Sequence, residues 1–308
     1  MQANLTAQRI RGVLPALPTP FTDDGKVDVQ GLEKLVQHVL DGGVHGLWVL
    51  GSSGEFTALA PEERKLVVDV IVGATQQRVP VLVGLGSNDI REIVRSAEQA
   101  HCAGADACFA LLPFYFVADP CEAIGFFRHI AEASPLPVVI YDNPFSTKTK
   151  LEARAYVELA GCPNIIALKD SSSDFVRFQA LLAALRANTP WKLLQGDERL
   201  VGASVLLGAD GTVAALASVA PRLFVRLYEA AAACKAQETA ELQRRAITLG
   251  KLFELKGQPT DGAFFAGLKA GLQVLGVCGG QVSSPFSPMP ADKMPLVENL
   301  LREFQEFL

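Results

Sequence analysis

The sequence contains no long hydrophobic run, which removes one broad class of protein at the start. Its apolar stretches are as short as strands or lie in Ala-rich amphipathic segments, so we expect no transmembrane helix. The first ten residues are polar and lack the apolar core of a secretory signal. We therefore expect a cytoplasmic protein that makes no contact with a membrane.

Cysteine and histidine are scarce and are not arranged as ligands. The six cysteines show no CxxC spacing, and we interpret them as small core residues in a reducing compartment. The four histidines are scattered, so we expect no metal site. No basic block occurs, and a net charge of -5 argues against nucleic-acid binding.

What the 308 residues do contain is a regular alternation of short apolar runs and amphipathic stretches. The apolar runs predict eight strands, at 13–17, 46–50, 81–85, 107–112, 138–141, 165–169, 192–194 and 212–216. The stretches that follow them predict helices near 29–40, 61–73, 90–103, 120–133, 152–160, 174–187, 199–207 and 221–235. Eight such alternations with short loops predict a (β/α)₈ TIM barrel.

The alternation stops near residue 236, and three further helices are predicted at 239–255, 261–275 and 290–308. We therefore expect a barrel over residues 1–230 that carries the active site, followed by a C-terminal three-helix region over 231–308. A doubly wound sheet is the structural alternative. It would normally show a phosphate-binding loop after its first strand, whereas this chain has Pro18-Thr19-Pro20-Phe21 there.

Lys169 is the most informative single residue, because it ends the apolar run 165–169. A lysine at the end of a buried strand is costly in its charged form, and burial favours a neutral, nucleophilic amine. Such an amine can form a Schiff base with a 2-oxo acid. A strand-end lysine can equally lay its stem on apolar surface and reach solvent with its head, so this segment alone leaves both interpretations open.

The loops after the other strands carry further candidates, since catalytic groups of such barrels cluster at the carboxyl ends of the strands. Small residues and two hydroxyls in Gly51-Ser52-Ser53-Gly54-Glu55 suit the capture of a carboxylate, although an ordinary tight turn has the same composition. Tyr141 ends the fifth strand, where its phenol could relay a proton. Tyr115 follows the fourth strand. The alternative for Tyr141 is a buried ring with a solvated hydroxyl.

Several acids at strand ends have a simpler explanation. Asp170, Asp174, Asp197 and Glu198 precede predicted helices, and we interpret them as acids at helix starts. Gly196, directly after the seventh strand, is taken as a further position that contacts substrate.

Four motifs in this order resemble the dihydrodipicolinate synthase and N-acetylneuraminate lyase superfamily over essentially the whole chain. The four motifs are Gly12-x-x-x-Ala16-x-x-Thr19-Pro20-Phe21, Gly51-Ser52-Ser53-Gly54-Glu55, Tyr141-x-x-Pro144 and Ile165-x-x-x-Lys169-Asp170. The resemblance implies class I aldolase chemistry, in which a lysine forms an imine with pyruvate or another 2-oxo acid. It implies that no metal or organic cofactor is needed. It also implies a homotetramer built as a dimer of dimers.

The resemblance also implies roles for individual residues. Lys169 matches the imine-forming lysine and Tyr141 the proton-transferring tyrosine. Ser52 and Ser53 match the pair that holds the pyruvate carboxylate, and Gly54 lies in the same loop. By its order in the motif, Ser53 is expected to bridge Tyr141 to Tyr115.

Two more positions are implied in the same way. Tyr115 is expected to reach across a dimer interface into the neighbouring active site. Val213 matches a small apolar residue that lines the pyruvate pocket.

Departures from the family pattern bear on the substrate. Dihydrodipicolinate synthases have an arginine five residues after the active-site tyrosine, and it binds the carboxylate of aspartate semialdehyde. This chain has Ser146 there, and a serine cannot supply a bidentate cation. Lys148 or Lys150 could compensate, but both are more typical of solvated loop residues. The usual asparagine after the tyrosine is replaced by Asp142.

The sequence thus predicts a Schiff-base lyase or aldolase that makes or breaks a C–C bond beside a pyruvate unit. A dehydratase of a 2-oxo-3-deoxy sugar acid would use the same imine. One alternative is 4-hydroxy-tetrahydrodipicolinate synthase, which joins pyruvate to aspartate semialdehyde in lysine biosynthesis. A second is a non-catalytic barrel that only binds a 2-oxo acid, although a pure binder has no need of a nucleophile.

Overall fold

The computed structural model describes the backbone of residues 2–308 and the side chains from residue 6 onward. Its eight strands are β1 (Gly12–Pro15), β2 (Leu47–Val49), β3 (Val81–Gly84), β4 (Ala107–Ala110), β5 (Val138–Asp142), β6 (Ile165–Asp170), β7 (Lys192–Gln195) and β8 (Gly211–Ala214). All are parallel and form one sheet in the order β1-β8-β7-β6-β5-β4-β3-β2. A parallel bridge between Ala16 and Trp48 joins the first two strands and nearly closes the barrel. The predicted fold class is confirmed.

Helices alternate with the strands around the barrel. They are α1 (Gln2–Arg9), α2 (Val29–Asp41), α3 (Pro61–Thr75), α4 (Ile90–Ala103), α5 (Pro120–Ala133), α6 (Pro144–Thr147), α7 (Ala153–Leu159), α8 (Phe175–Asn188), α9 (Val201–Leu206) and α10 (Pro221–Ala232). The strands read as unbroken apolar runs because both faces are covered: every residue of β5 and of β6 is buried. Helix α1 was not predicted, because its segment shows no apolar periodicity.

Local signals in the sequence explain where helices begin. Asp119 precedes α5, and its carboxylate accepts hydrogen bonds from the amides of Cys121 and Glu122. The Glu122 carboxylate accepts in return from the Asp119 amide, at 2.8 Å. These reciprocal bonds satisfy amides that have no partner inside the helix. Proline at the first position of α5 supplies a backbone angle that suits a helix start.

Beyond the barrel lie α11 (Ala236–Leu249), α12 (Asp261–Val274) and α13 (Met294–Arg302). The predicted helix over 290–308 is divided: short 3₁₀ turns at Ala291–Lys293 and Gln305–Phe307 flank α13. The predicted helix over 239–255 likewise ends in a 3₁₀ turn at Gly250–Phe253. The division of the chain near residue 230 remains a prediction.

Candidate active site

Lys169 lies one residue before the end of β6, and its side chain turns into the barrel. The residue is 4% exposed. Its Nζ lies 4.2 Å from the centroid of the Tyr141 ring and 4.7 Å from that of the Trp48 ring. Burial lowers the pKa of Lys169 below its ordinary value, against the opposing effects of Tyr141 and Glu198. The geometry therefore supports a buried amine rather than a solvated head group.

Tyr141 stands beside Lys169 because β5 and β6 are parallel neighbours that pair these two residues. Its hydroxyl lies 3.3 Å from the Ser52 Oγ and accepts a hydrogen bond from Asn143 Nδ2 at 3.1 Å. Burial by itself would raise the pKa of Tyr141, but the charge of Lys169 and hydrogen bonds that include Ser52 and Asn143 lower it on balance. A phenol with a lowered pKa beside an amine is suited to proton transfer.

The loop between β2 and α3 corrects one sequence prediction. Ser52, rather than Ser53, contacts the Tyr141 hydroxyl. The loop forms a 3₁₀ turn over Ser52–Gly54, so successive side chains point in different directions. Ser53 is buried and lines the same cavity. Order in the motif could not decide which of two adjacent serines faces the phenol.

Gly54 contributes to the packing of this loop rather than to the cavity surface. Its amide donates to the Gly51 carbonyl at 3.0 Å, and its carbonyl accepts from Thr19 Oγ1 at 2.7 Å. It is absent from the residues that line the catalytic cavity. A direct contact of Gly54 with substrate remains a prediction.

The cavity above Lys169, which we call the catalytic cavity, has a volume of about 350 Å³. Seven of the predicted site residues line it: Ser52, Ser53, Tyr141, Ser146, Lys169, Gly196 and Val213. Gly196 is required by close approach, since a Cβ there would lie 2.0 Å from the Ser171 Oγ and 3.0 Å from the Lys169 Cε. Strand ends in the sequence pointed to Ser52, Ser53, Tyr141, Lys169 and Gly196, whereas Val213 and Ser146 were implied by the family resemblance.

Tyr115 is not part of the catalytic cavity of its own chain. Its side chain is 68% exposed, and its ring packs edge-on against Phe116 with centroids 4.9 Å apart. Lys148 Nζ lies 5.6 Å from the Tyr115 ring centroid. The expected bridge from a serine to Tyr115 is therefore absent within the part of the chain that the structure describes. Its donation to a second subunit remains a prediction.

Glu198 is a cavity residue that the sequence analysis missed. Asp197 is the acid at the helix start, as predicted, because its carboxylate accepts from the Arg199 amide. The carboxylate of Glu198 instead accepts from the amides of Ala215 and Leu216, at 2.8 and 3.3 Å, and the residue lines the catalytic cavity. Burial raises the pKa of Glu198. The only sequence signal was its place after β7.

Asp142 and Asp170 meet on one buried arginine. Arg177 donates to Asp142 Oδ2 at 2.5 Å and to Asp170 Oδ2 at 3.1 Å. All three side chains are at most 11% exposed. Asp170 is thus not an acid at a helix start. Asp174 is one, because it accepts from the Arg177 amide and so caps α8.

This arrangement explains why Asp142 stands where the family has asparagine. Each aspartate directly follows a cavity residue, Tyr141 in β5 and Lys169 in β6. Arg177 therefore joins the ends of the two strands that carry the amine and the phenol. Burial raises the pKa of Asp170, and Asp142 adds to that effect.

Glu55 and Lys269 form a second buried ion pair below the loop that carries the serines. Lys269 Nζ lies 2.5 Å from Glu55 Oε1, and the other carboxylate oxygen accepts from the Ser283 amide at 2.7 Å. Burial lowers the pKa of Lys269, although Glu55 opposes that effect. The partner residues are far apart in the chain, so no local pattern could predict the pair.

Lys169 is the only cation among the residues that line the catalytic cavity. Lys148 is exposed, and Lys150 is paired with Asp174 at 2.8 Å. Neither lysine lines the cavity in place of the arginine that the family's synthases have at position 146. The Ser146 Oγ instead accepts from Asn143 Nδ2 at 3.1 Å.

The described residues contain no cluster of three or more histidine, cysteine, aspartate or glutamate side chains placed to hold a metal ion. None of their helices has the length and apolar character needed to cross a membrane.

A nearly closed (β/α)₈ barrel with a buried lysine and tyrosine at adjacent strand ends defines a barrel enzyme. A profile of the dihydrodipicolinate synthetase family matches residues 9–304. The 4-hydroxy-tetrahydrodipicolinate synthase of Methanothrix thermoacetophila is 31% identical over 296 residues, which cover 96% of this chain and 97% of that protein. The chain therefore belongs to the dihydrodipicolinate synthetase family and is a lyase or aldolase.

Solved structures agree with this assignment. A dihydrodipicolinate synthase from Bacteroides thetaiotaomicron has a TM-score of 0.91 at 34% identity, covering 96% of this chain and 98% of that one. YagE, a prophage protein from E. coli K12 solved in complex with pyruvate, has a TM-score of 0.90 at 28% identity. The match covers 97% of this chain and 99% of that one.

Proposed function

We propose that this protein is a class I lyase in which Lys169 forms an imine with pyruvate or another 2-oxo acid. The observation that carries the proposal is the buried Lys169 amine, whose pKa is lowered and which faces a cavity beside the Tyr141 phenol. A neutral amine attacks the 2-oxo carbon and gives a carbinolamine. Loss of one water then yields the imine.

The imine acts as an electron sink for the bond beside it. Loss of a proton from the methyl carbon of bound pyruvate gives an enamine, which attacks an aldehyde to form a new C–C bond. Cleavage is the reverse of this step. The Tyr141 hydroxyl is placed to move protons between water, the carbinolamine and the substrate oxygen. Hydrolysis of the product imine consumes the water that was released and frees Lys169.

Other residues of the cavity hold the 2-oxo acid. Ser52 and Ser53 line the catalytic cavity, and their hydroxyls would donate to the substrate carboxylate. Val213 and Gly196 give a small apolar surface for the methyl end. No metal or organic cofactor enters these steps, because the imine itself withdraws the electrons.

Ser146 favours an uncharged acceptor over aspartate semialdehyde. The catalytic cavity offers Glu198 and Asp261 as carboxylates but no cation other than Lys169. A second substrate carboxylate would therefore lack the partner that an arginine supplies. 4-Hydroxy-tetrahydrodipicolinate synthase activity stays as a second candidate, because relatives of that name match the whole chain. Dehydration of a 2-oxo-3-deoxy sugar acid would proceed through the same imine.

The assembly and location belong to the same proposal. We infer a homotetramer made of two dimers, with Tyr115 donated to the neighbouring subunit. Its 68% exposure supports this, since a tyrosine on an isolated chain surface would gain from burial in an interface. The six cysteines are all free, which supports a reducing, cytoplasmic location.

Borohydride trapping tests the central claim. Reduction in the presence of pyruvate is expected to add a pyruvate-derived mass to the peptide that contains Lys169. The Lys169→Ala variant should show no adduct and no turnover, whereas Lys34→Ala, which changes an exposed lysine on α2 outside the cavity, should keep both. An adduct on another lysine would overturn the assignment. The absence of any adduct would favour a protein that only binds 2-oxo acids.

A further inference from the structure

A second cavity of about 380 Å³ adjoins the catalytic cavity. The two share Ser52, Ser146, Asp261 and Phe265 among their lining residues. Ser146 is the position at which the family's synthases bind the second substrate. A substrate that extends past Ser146 from Lys169 therefore enters this second cavity, which we call the aromatic cavity.

Four phenylalanine rings form its walls: Phe56, Phe114, Phe265 and Phe286. They come from four separate segments of the chain and are already arranged in pairs. Phe56 and Phe114 meet at 85° with centroids 5.9 Å apart, and Phe265 and Phe286 meet at 67° with centroids 5.3 Å apart. Edge-to-face packing of this kind also suits a further aromatic ring placed between them.

Two glycines leave the space that the rings of Phe56 and Phe286 occupy. A Cβ at Gly86 would lie 2.1 Å from the Phe56 ring, and a Cβ at Gly262 would lie 2.8 Å from the Phe286 ring. Any other residue at either position would displace a wall of the cavity. The aromatic lining thus depends on the sequence at five or more separate positions, which a chance surface depression would not require.

The charges of the aromatic cavity exclude one class of ligand. It has no lysine or arginine among its lining residues. Of its carboxylates, Glu55 is held by Lys269 and the Ser283 amide, and Asp261 lines both this cavity and the catalytic cavity. An anionic acceptor would meet no cation there. The volume is ample for an aromatic ring, since apolar cavities of about 150 Å³ already hold benzene.

We propose that the second substrate carries an aryl group, and that the reaction joins pyruvate to an aryl aldehyde or cleaves the resulting 4-aryl-4-hydroxy-2-oxobutanoate. This inference rests on the proposed function and names its substrate class. In the forward direction the enamine carbon bonds to the aldehyde carbon, whose oxygen takes up a proton to become the 4-hydroxyl. The reverse reaction returns that proton and releases both carbonyl compounds, so no oxidant or reductant is needed.

The first experiment compares two uncharged acceptors. With pyruvate, kcat/KM for benzaldehyde is expected to exceed that for glyceraldehyde by roughly tenfold or more, because the ring leaves water on entering an apolar site. A preference for glyceraldehyde would overturn the proposal in favour of a polyhydroxylated substrate.

Variants of Phe286 test whether the ring is responsible. Phe286 is 40% exposed and can be changed without opening the core. Phe286→Ser should lower the ratio of the two kcat/KM values by roughly fivefold to tenfold, and Phe286→Leu by less, since it keeps apolar contact but loses edge-to-face packing. Leu296→Ser, at a similarly exposed position on α13 outside both cavities, is the matched control. An unchanged ratio in Phe286→Ser would contradict the assignment.

A binding measurement separates this proposal from the imine mechanism. In Lys169→Ala no imine can form, yet calorimetry should still show that 4-phenyl-2-oxobutanoate binds roughly tenfold more tightly than 2-oxobutanoate. Equal affinities would refute the aromatic site even if borohydride trapping succeeds. A clear difference together with failed trapping in the unmodified protein would instead refute the mechanism and retain the aromatic site.

Discussion

Lys269 Nζ lies 2.5 Å from Glu55 Oε1, and each of these side chains is only 1% exposed. Glu55 follows the turn that carries Ser52 and Ser53, while Lys269 belongs to α12 in the C-terminal region. Two charges so far from solvent are stable only as a pair. The ion pair therefore fixes the loop that carries Ser52 and Ser53 to a helix that lies outside the barrel.

Removal of one member of this pair should be costly. Lys269→Met is expected to lower the free energy of unfolding by about 3–5 kcal/mol, because Glu55 keeps a buried charge without its counter-ion. The double variant Glu55→Gln/Lys269→Met should recover most of that loss, since no charge remains buried. Urea denaturation followed by circular dichroism measures both. Equal losses in the single and double variants would show that packing, rather than charge, dominates.

Substitutions of the two loop serines are expected to change different kinetic parameters. Ser52→Ala removes a partner of the Tyr141 hydroxyl, and a lost hydrogen bond of about 0.5–1.5 kcal/mol predicts a fall in kcat of roughly twofold to tenfold. Ser53→Ala should mainly raise KM for pyruvate. Steady-state kinetics of the two variants side by side checks this. The reverse pattern would restore Ser53 as the contact of Tyr141.

Tyr141→Phe should separate proton transfer from amine reactivity. Loss of an acid–base group predicts a fall in kcat of roughly 10²–10⁴-fold. Because Tyr141 raises the pKa of Lys169 while burial lowers it, the variant should lower that pKa further below the ordinary lysine value of 10.5. The rate of borohydride trapping would then reach its half-maximum at a lower pH than in the unmodified protein. A midpoint shifted to higher pH would contradict the proposed interaction.

Mixed assemblies test whether Tyr115 completes a neighbouring site. Tyr115→Phe and Lys169→Ala are each expected to be nearly inactive. If each site uses Lys169 of one subunit and Tyr115 of its partner, co-refolding equal amounts should restore about a quarter of the activity, because half of the pairs are mixed and each has one complete site. Size-exclusion chromatography controls for assembly. No recovery from verified mixed assemblies would show that Tyr115 is not donated to the neighbouring site.

Ser146 should make the protein a poor 4-hydroxy-tetrahydrodipicolinate synthase. A charged hydrogen bond contributes about 1.5–3 kcal/mol, so its absence predicts roughly tenfold to a hundredfold weaker use of aspartate semialdehyde. Ser146→Arg should raise kcat/KM for that substrate. A value of about 10⁴ M⁻¹s⁻¹ or above in the unmodified protein, within the ordinary enzyme range, would show that another group binds the carboxylate. No improvement in Ser146→Arg would show that this position does not decide specificity by itself.

Local patterns in the sequence were sufficient to predict the barrel and the strand-end residues of the catalytic cavity. Lys169, Tyr141 and Gly196 could be found because a strand end is a local feature, and the fold brings all such ends to one face. Asp170 was misinterpreted as an acid at a helix start. Glu198 does begin a 3₁₀ turn at Glu198–Leu200, but its place in the catalytic cavity had no local signal. Their partners, Arg177 and the amides after β8, come from other segments.

The aromatic cavity formed by Phe56, Phe114 and Phe286 could not be predicted from the sequence either. Each phenylalanine alone is indistinguishable from an ordinary core or surface residue. Phe56 meets Phe114 because two barrel loops lie side by side, and Phe286 meets Phe265 because the C-terminal segment packs against α12. Contacts of this range carry no periodic signal in the sequence.

The position of α12 brings the C-terminal region into a cavity that the barrel loops begin. Phe56 and Phe114 belong to barrel loops, whereas Asp261, Phe265 and Phe286, which would also face the proposed second substrate, belong to the C-terminal region. Exchange of that region between relatives would therefore alter the accepted aldehyde while Lys169 stays in place. Such chimaeras would need to retain the residue at position 269 that neutralises Glu55.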